Sequence, residues 1–172
     1  LQFDYGQTSA LYGHKSEGPA KYFYSSKGQF IRLSLIQDFL KVHEISFGAS
    51  LFQANSIGNV ITTSLDYKTQ FLGVFTTSHF NILSIANRRH CASCTDFNFY
   101  VNAGLQLAAM LNGTQKIDST IYDLKGVEDF KGIWFSPILG AKMQFDASDI
   151  ISLILTIDYI PMLNITDTDE EF

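Results

Sequence analysis

Two cysteines in the middle of the chain have the spacing best suited to chemistry. Cys91 and Cys94 are separated by two residues and follow Arg88, Arg89 and His90. The spacing matches thioredoxin-type redox motifs, but no βαβ pattern surrounds it, and zinc held by His90 and both thiolates would lack a fourth ligand. In an exported protein this spacing predicts a disulfide that closes a four-residue loop. A redox pair, a zinc site and a docking point for a partner protein are the alternatives.

The other candidates for catalysis are dispersed. The four histidines are His14, His43, His79 and His90. They form no H-x-x-x-H pair, so metal catalysis has no support. Ordinary loop residues could assemble a Ser/His/Asp set on one loop face, namely His14, Ser16, Asp118 and Ser119. The sequence predicts a protein that is not an enzyme, with no cofactor and no metal site.

The composition predicts one folded domain over residues 1–172. Hydrophobic residues make up 46% of the chain, and charged residues 17%, below the roughly 25% that is typical. The net charge is −5, and no basic cluster is present. Nucleic acid is therefore excluded as a partner, because phosphate contacts need a surface rich in lysine and arginine.

Alternating apolar and polar residues run through the whole chain and define its elements. In the longest such segment, 96–112, apolar residues stand at the odd positions from Phe97 to Leu111. Period two over this length predicts an unusually long β-strand. Six further segments alternate in the same way: 1–12, 29–38, 44–53, 65–75, 133–145 and 151–163. The predicted fold class is all-β.

The links between these strands predict the architecture. Residues 39–43 and 146–149 are short turns, whereas 13–28, 54–64 and 113–131 are long and polar. Alternating long and short links are typical of an up-and-down antiparallel transmembrane β-barrel, although the long link 76–95 breaks the rhythm. Seven strands are evident, and bacterial barrels close with an even number. We expect an eighth strand, either beyond Phe172 or within 76–95.

The composition of the polar face decides which side of the strands is buried. This face is mostly small and neutral, which suits the narrow interior of an eight-stranded barrel, and its charges nearly balance. The predicted polar lumen network comprises Asp4, Arg32, Glu44, Asp66, Lys68, Lys142 and Asp158. The predicted lipid-facing residues on the opposite, apolar face include Leu33, Phe47, Phe71, Leu105, Leu107, Leu139 and Leu155. A lipocalin-like barrel with the apolar face inside, around a small ligand, is the alternative.

Four segments together resemble one protein family. Residues 99–113 read Phe-Tyr-Val-Asn-Ala-Gly-Leu-Gln-Leu-Ala-Ala-Met-Leu-Asn-Gly, a strand with aromatic residues, then a glycine and then a leucine, before a polar loop. Residues 122–130 form an Asp- and Phe-bearing loop, 151–165 end in Asn-Ile, and 65–68 read Leu-Asp-Tyr-Lys. Over roughly residues 29–165 this combination resembles the PorT-like outer-membrane β-barrel proteins of Bacteroidota.

The resemblance implies an eight-stranded barrel in the bacterial outer membrane but no reaction. Its partners would be membrane lipids and other outer-membrane or periplasmic proteins. We therefore expect a non-enzymatic structural or accessory subunit of a larger envelope complex for secretion, uptake or assembly. The small-ligand barrel and a barrel enzyme that acts at the loop face remain the alternatives.

Overall fold

The computed structural model is built from β-strands. It describes residues 1–10, 13–14, 18–19, 23–40, 42–60, 63–83, 97–127, 130–147 and 151–164. The strands in chain order are β1 (Gln2–Ser9), β2 (Gly13–His14), β3 (Gly18–Pro19), β4 (Phe23–Leu40), β5 (His43–Val60), β6 (Thr63–Asn81), β7 (Phe97–Ile117), β8 (Thr120–Asp123), β9 (Ile133–Asp146), β10 (Ser152–Tyr159) and β11 (Leu163–Asn164). None of the described residues belongs to a helix long and apolar enough to cross a membrane.

One antiparallel sheet contains most of these strands. Its order is β1-β4-β5-β6-β7-β9-β10, while β8 pairs with the end of β7 and β11 follows β10 along β9. The turns after β4 and β9 lie at one end of the sheet, here called the short-turn end. The hairpin between β5 and β6 lies at the opposite, long-loop end. The prediction of an all-β, up-and-down antiparallel fold is confirmed.

The sheet curls into a half-barrel whose two edge strands are β1 and β10. In the described ranges these edge strands pair neither with each other nor with an eighth strand. The curl is strong, because Arg32 on the strand beside β1 reaches Asp158 on β10, with 3.1 Å between Nη1 and Oδ2. Chain direction reverses at each of the six steps along this path, so β1 and β10 run in the same direction.

The long strands extend further than predicted. A loop was expected at 54–64, but β5 continues to Val60 and pairs there with Thr63, the first residue of β6. Small polar residues such as Asn55 and Ser56 indicate a loop when polarity is read alone. In the structure Ser56 is instead fully buried, and its hydroxyl donates to the carbonyl of Tyr24 at 3.0 Å. The link predicted at 76–95 is shorter too, because β6 continues to Asn81. Cys91 and Cys94 lie outside the described residues.

A bulge in β7 shifts the alternation of inward and outward residues. Gln70 pairs with Asn112 and Phe71 with Met110, which leaves Leu111 as the extra residue of β7. The inward residues of β7 are therefore even-numbered before the bulge and odd-numbered after it.

On β6 the odd-numbered residues face inward. Phe71 and Phe75 are 2% and 5% exposed, whereas Leu72 and Val74 are 48% and 62% exposed. The prediction that Phe71 faces lipid is wrong. Both faces of this strand are apolar here, so alternation alone could not distinguish the inner from the outer face.

An aromatic cluster fills the interior toward the long-loop end. The rings of Phe52 and Phe71 stack at 5.3 Å, and Trp134 meets Phe71 edge to face at 5.8 Å. Ala54 and Ala108 complete the buried cluster. The interior therefore has an aromatic layer here, and polar contacts fill it toward the short-turn end.

Candidate functional site

The interior of the half-barrel is the candidate site, because polar side chains dominate it. Among the described residues, thirteen polar or charged side chains are buried, against eight hydrophobic ones. Interiors of water-soluble proteins show the opposite preference. Two of the buried groups are cations, Arg32 and Lys142, at 5% and 1% exposure. Such charges need partners, since an isolated buried charge is very costly.

Lys142 is the centre of a first cluster, near the short-turn end. Its Nζ lies 2.7 Å from Oε2 of Glu44 and 4.0 Å from the centroid of the Tyr100 ring. The Tyr100 hydroxyl donates to the other carboxylate oxygen of Glu44 at 2.6 Å. The cluster joins β5, β7 and β9 and compensates the buried ammonium through an ion pair and a cation–π contact.

Arg32 begins a second, longer chain of contacts. Its Nη1 donates to Oδ2 of Asp158 at 3.1 Å, and Oδ1 of Asp158 accepts from the Asn102 amide at 3.4 Å. Oδ1 of Asn102 lies 2.7 Å from Nδ1 of His79, which therefore donates, and Nε2 of His79 accepts from the Ser46 hydroxyl at 2.9 Å. This chain connects β4, β10, β7, β6 and β5 through the interior.

Ser46, His79 and Asn102 have the hydrogen-bond order of a hydrolase triad. A serine hydroxyl meets a histidine base, which a third group orients. Ser46 and His79 are only 4% and 7% exposed, and the Ser46 hydroxyl also lies 3.4 Å from the carbonyl oxygen of Thr77. In this enclosed position the three side chains connect β5, β6 and β7.

Two phenylalanine rings cover the guanidinium of Arg32. Its Cζ lies 4.8 Å from the centroid of Phe30 and 4.4 Å from that of Phe75. Its Nε and Nη2 are buried and donate to no described group. Arg32 is thus held by Asp158 at one nitrogen and by aromatic contacts, and one edge of its guanidinium is free.

The outer face of the sheet carries an apolar band, which Thr76 and Ser78 interrupt on β6. Six of the seven residues predicted to face lipid lie on it, at 44% to 57% exposure: Leu33, Phe47, Leu105, Leu107, Leu139 and Leu155. The band continues to both edge strands of the sheet, where Phe3 on β1 is 65% exposed and Leu153 on β10 is 72% exposed. An exposed apolar surface of this extent marks contact with a membrane or another protein.

A row of amide side chains ends the apolar band toward the long-loop end. Gln7 pairs with Gln29, while Gln53 pairs with Gln70, which pairs in turn with Asn112. The side-chain oxygen of Gln53 accepts from the backbone N–H of Gln29 at 3.2 Å and so joins the two parts of the row. On five neighbouring strands the outer face changes from apolar to polar at this level. We call this feature the amide row.

Asp146 organises the short turn between β9 and β10. One of its carboxylate oxygens accepts from the Ser152 hydroxyl at 2.5 Å and from the Gln144 amide at 2.8 Å. The backbone N–H of Ala147 donates to the carbonyl of Ile151 at 2.9 Å and closes the turn. The hydrogen bonds from Ser152 and then Gln144 lower the pKa of Asp146, because they stabilise its ionised form.

The structure brings four of the seven predicted lumen residues into the two interior clusters: Arg32, Glu44, Lys142 and Asp158. Asp4 lies on the inward face of β1, where it accepts from the Gln2 amide at 2.6 Å. The assignment of Asp66 and Lys68 to the lumen is wrong. They lie on the outward, even-numbered face of β6 and pair with each other at 3.4 Å, with the Lys68 side chain 68% exposed.

Sequence reasoning missed the polar residues that connect the charged pairs. Ser46, Tyr100 and Asn102 stand at polar positions of alternating segments, a signal that places them inside but does not identify their partners. His79 lies in a segment predicted to be a link. His43, another scattered histidine, stacks on the Phe80 ring at 4.5 Å.

Metal binding and known relatives add no further assignment. No three His, Cys, Asp or Glu side chains within the described ranges are placed to hold a metal ion. Comparison of the chain with protein-family models, with curated proteins and with solved structures finds no match. The case for a function therefore rests on the geometry of the two faces of the sheet.

Proposed function

We propose that this protein is an outer-membrane β-barrel that acts as a non-enzymatic structural or accessory subunit of a bacterial envelope complex. The observation that carries the proposal is the apolar band and its border at the amide row. Transmembrane barrels have an outward-facing apolar band around a polar interior. Both parts occur here on the same strands.

The height of the band is compatible with a bilayer. On β6 its outward apolar residues are Leu72, Val74 and Phe80, which span nine residues, and a transmembrane strand needs about 9–11. The lipocalin-like alternative needs an apolar interior that surrounds a small ligand. Besides the aromatic layer, the interior holds two ion pairs, between Lys142 and Glu44 and between Arg32 and Asp158.

In a membrane, the edge strands β1 and β10 require one more strand to pair with them. Lipid offers no hydrogen-bond partners to the free edges of β1 and β10, and each unsatisfied backbone group there costs several kcal/mol. Since β1 and β10 run in the same direction, one strand antiparallel to both completes an eight-stranded barrel. The resemblance to PorT-like proteins favours the same strand number. Because the short turns of bacterial barrels lie in the periplasm, we infer that the short-turn end faces the periplasm.

The subunit role is supported by exposed apolar side chains away from the band. β8 pairs with the part of β7 that lies beyond the amide row. Its Ile121 and Tyr122 are 67% and 49% exposed. Aromatic and aliphatic side chains at such positions are typical of protein contacts. We infer that membrane lipids surround the band and that another envelope protein covers this tip.

The first test is a gel of the full-length protein extracted in detergent from fractionated membranes. We expect an outer-membrane protein whose unheated band migrates faster than the boiled one, because a closed barrel resists the detergent. Protein that stays soluble without detergent and shows one band would contradict the membrane assignment. Native electrophoresis in mild detergent tests the subunit role separately. A barrel that runs alone at the mass of one chain would contradict that role.

A further inference from the structure

We propose that Arg32 binds a small oxyanion, a carboxylate or phosphate group, inside the half-barrel. Its guanidinium is 5% exposed, so the site is internal. Neither the ion pair with Asp158 nor the cation–π contacts use all of its donors. The inference concerns the interior alone and holds whether lipid or water surrounds the sheet.

The free edge of Arg32 has the geometry that recognises two oxygens. Nη1 donates to Asp158, whereas Nε and Nη2 donate to no described group. In a planar guanidinium, the N–H of Nε and one N–H of Nη2 point in parallel from the same edge. This fork matches the two oxygens of a carboxylate or the oxygens of a phosphate.

Two aromatic rings lie against the guanidinium of Arg32. The centroids of Phe30 and Phe75 lie 4.8 and 4.4 Å from its Cζ. These cation–π contacts offset part of the cost of burying the charge, but a phenylalanine ring offers no acceptor oxygen to Nε or Nη2. An oxyanion would supply those acceptors.

Two buried donors lie on the strands beside Arg32 and Phe75. Ser50 is the direct cross-strand neighbour of Arg32, and Gln106 that of Phe75. Both are 2% exposed, and the Ser50 hydroxyl and the Gln106 Nε2 have no partner among the described groups. Directly opposed residues have Cβ atoms roughly 4.5–5.5 Å apart. Ser50 is thus the neighbour of Arg32 that can add a third hydrogen bond to an oxyanion.

The carboxylate of Asp4 would compete with a bound anion for Nε and Nη2 of Arg32. Asp4 is the direct cross-strand neighbour of Arg32 on β1, and its carboxylate accepts from Gln2 at 2.6 Å. A change of side-chain rotamer would let Asp4 take the free edge itself. The experiment has to separate a bound anion from this internal carboxylate.

The test compares the unfolding midpoint of the full-length protein after refolding in an uncharged detergent with different anions. The probes are inorganic phosphate, acetate and dodecanoate, against chloride at equal ionic strength. A ligand that binds only the folded state raises the midpoint as its concentration increases. We expect at least one oxyanion to do so in the wild type, and Arg32→Lys to lose most of the rise, because lysine keeps the charge but has no fork.

Matched variants keep the result interpretable. Lys68→Gln removes an exposed cation and is expected to respond as the wild type does. If Arg32→Lys does not fold, Ser50→Ala tests the same site, with a smaller rise expected. A larger rise with dodecanoate than with acetate would identify an acyl-chain carboxylate, and equal rises would identify a small free anion.

Two outcomes would overturn the inference. One is a wild-type midpoint that no oxyanion raises beyond the chloride control. The other is a response that appears only in Asp4→Asn, which would mean that Asp4 occupies the fork in the native protein.

Discussion

At the residue scale, stability depends on charges that are buried in pairs. Lys142 is almost fully enclosed, and its ion partner is the carboxylate of Glu44. Removing one member of a buried pair leaves an uncompensated charge, whereas replacing both with residues of similar shape is often tolerated. The two interior clusters are therefore sensitive to single substitutions and tolerant of paired ones.

Glu44→Gln is expected to lower the free energy of unfolding by about 3–5 kcal/mol, because the Lys142 ammonium then lacks its counter-charge. The double variant Glu44→Gln/Lys142→Met is expected to recover most of this loss. Urea titration in detergent micelles measures both. A single variant as stable as the wild type would show that the ion pair contributes nothing.

Ser46 is expected to stay unmodified when the folded protein is treated with a fluorophosphonate. Its hydroxyl has the hydrogen bond to His79 that activates a nucleophile, but it is 4% exposed. Mass spectrometry of the treated protein gives the answer, with Ser46→Ala as the control. Labelling that disappears in Ser46→Ala would favour the enzyme alternative.

Asp146 is expected to give the turn after β9 a pH-dependent stability. Its pKa is lowered in the folded protein, so its contribution is complete above the pKa of the unfolded chain and is lost as pH falls through the lower, folded value. The stability difference between wild type and Asp146→Asn should therefore be largest near neutral pH and shrink in acid. Unfolding curves at several pH values check this, and a constant difference would contradict it.

The sequence predicts which charges lie inside better than it predicts their partners. Arg32, Glu44, Lys142 and Asp158 stand at polar positions of alternating strands, and that signal is local. The partner of Arg32 is 126 residues away in the chain. Pairing across the interior depends on curl and register, which no short segment specifies.

At the element scale, alternation identifies strands well and faces less well. The outward residues of β7 before its bulge and of β9 are those expected, although Ile138 adds a buried apolar side chain to the inner face of β9. β6 has apolar residues on both faces near Phe71, because the aromatic cluster inside lies level with the band outside. Period-two reasoning fails at such a level, and Asp66, Lys68 and Phe71 were misplaced for this reason.

Leu105→Arg is expected to block membrane folding, because a charge on the lipid side near the midplane costs roughly 2–4 kcal/mol. Gln106→Leu, the neighbouring inward position, is expected to be milder. Refolding into lipid vesicles, read as the fraction of the faster-migrating unheated band, compares them. The reverse ranking would mean that the inner and outer faces have been exchanged.

At the scale of the whole molecule, the architecture was predictable and the closure was not. Strand number and antiparallel order follow from alternation and link length, which are properties of short segments. Whether β1 and β10 are covered depends on a strand outside the described residues. The amide row also escaped prediction, because its members come from five strands and align only through their register.

In isolated outer membranes, the amides of β1 and β10 are expected to exchange hydrogen as slowly as those of β5. A strand that completes the barrel would pair their free edges. Hydrogen exchange followed by mass spectrometry of peptides from these three strands measures it. Fast exchange confined to β1 and β10 would show that the sheet ends there.

The length of β5 determines how far the hairpin between β5 and β6 extends beyond the amide row. Seven of its residues, from Ala54 to Val60, lie on the side of the amide row away from the band. At about 3.4 Å per residue and a tilt of about 40°, they raise the hairpin tip roughly 20 Å above that border. A paired hairpin of this kind is a stiff spacer. In the proposed membrane barrel, an antibody that recognises the ends of β5 and β6 at Val60 and Thr63 would therefore bind well clear of the lipid headgroups.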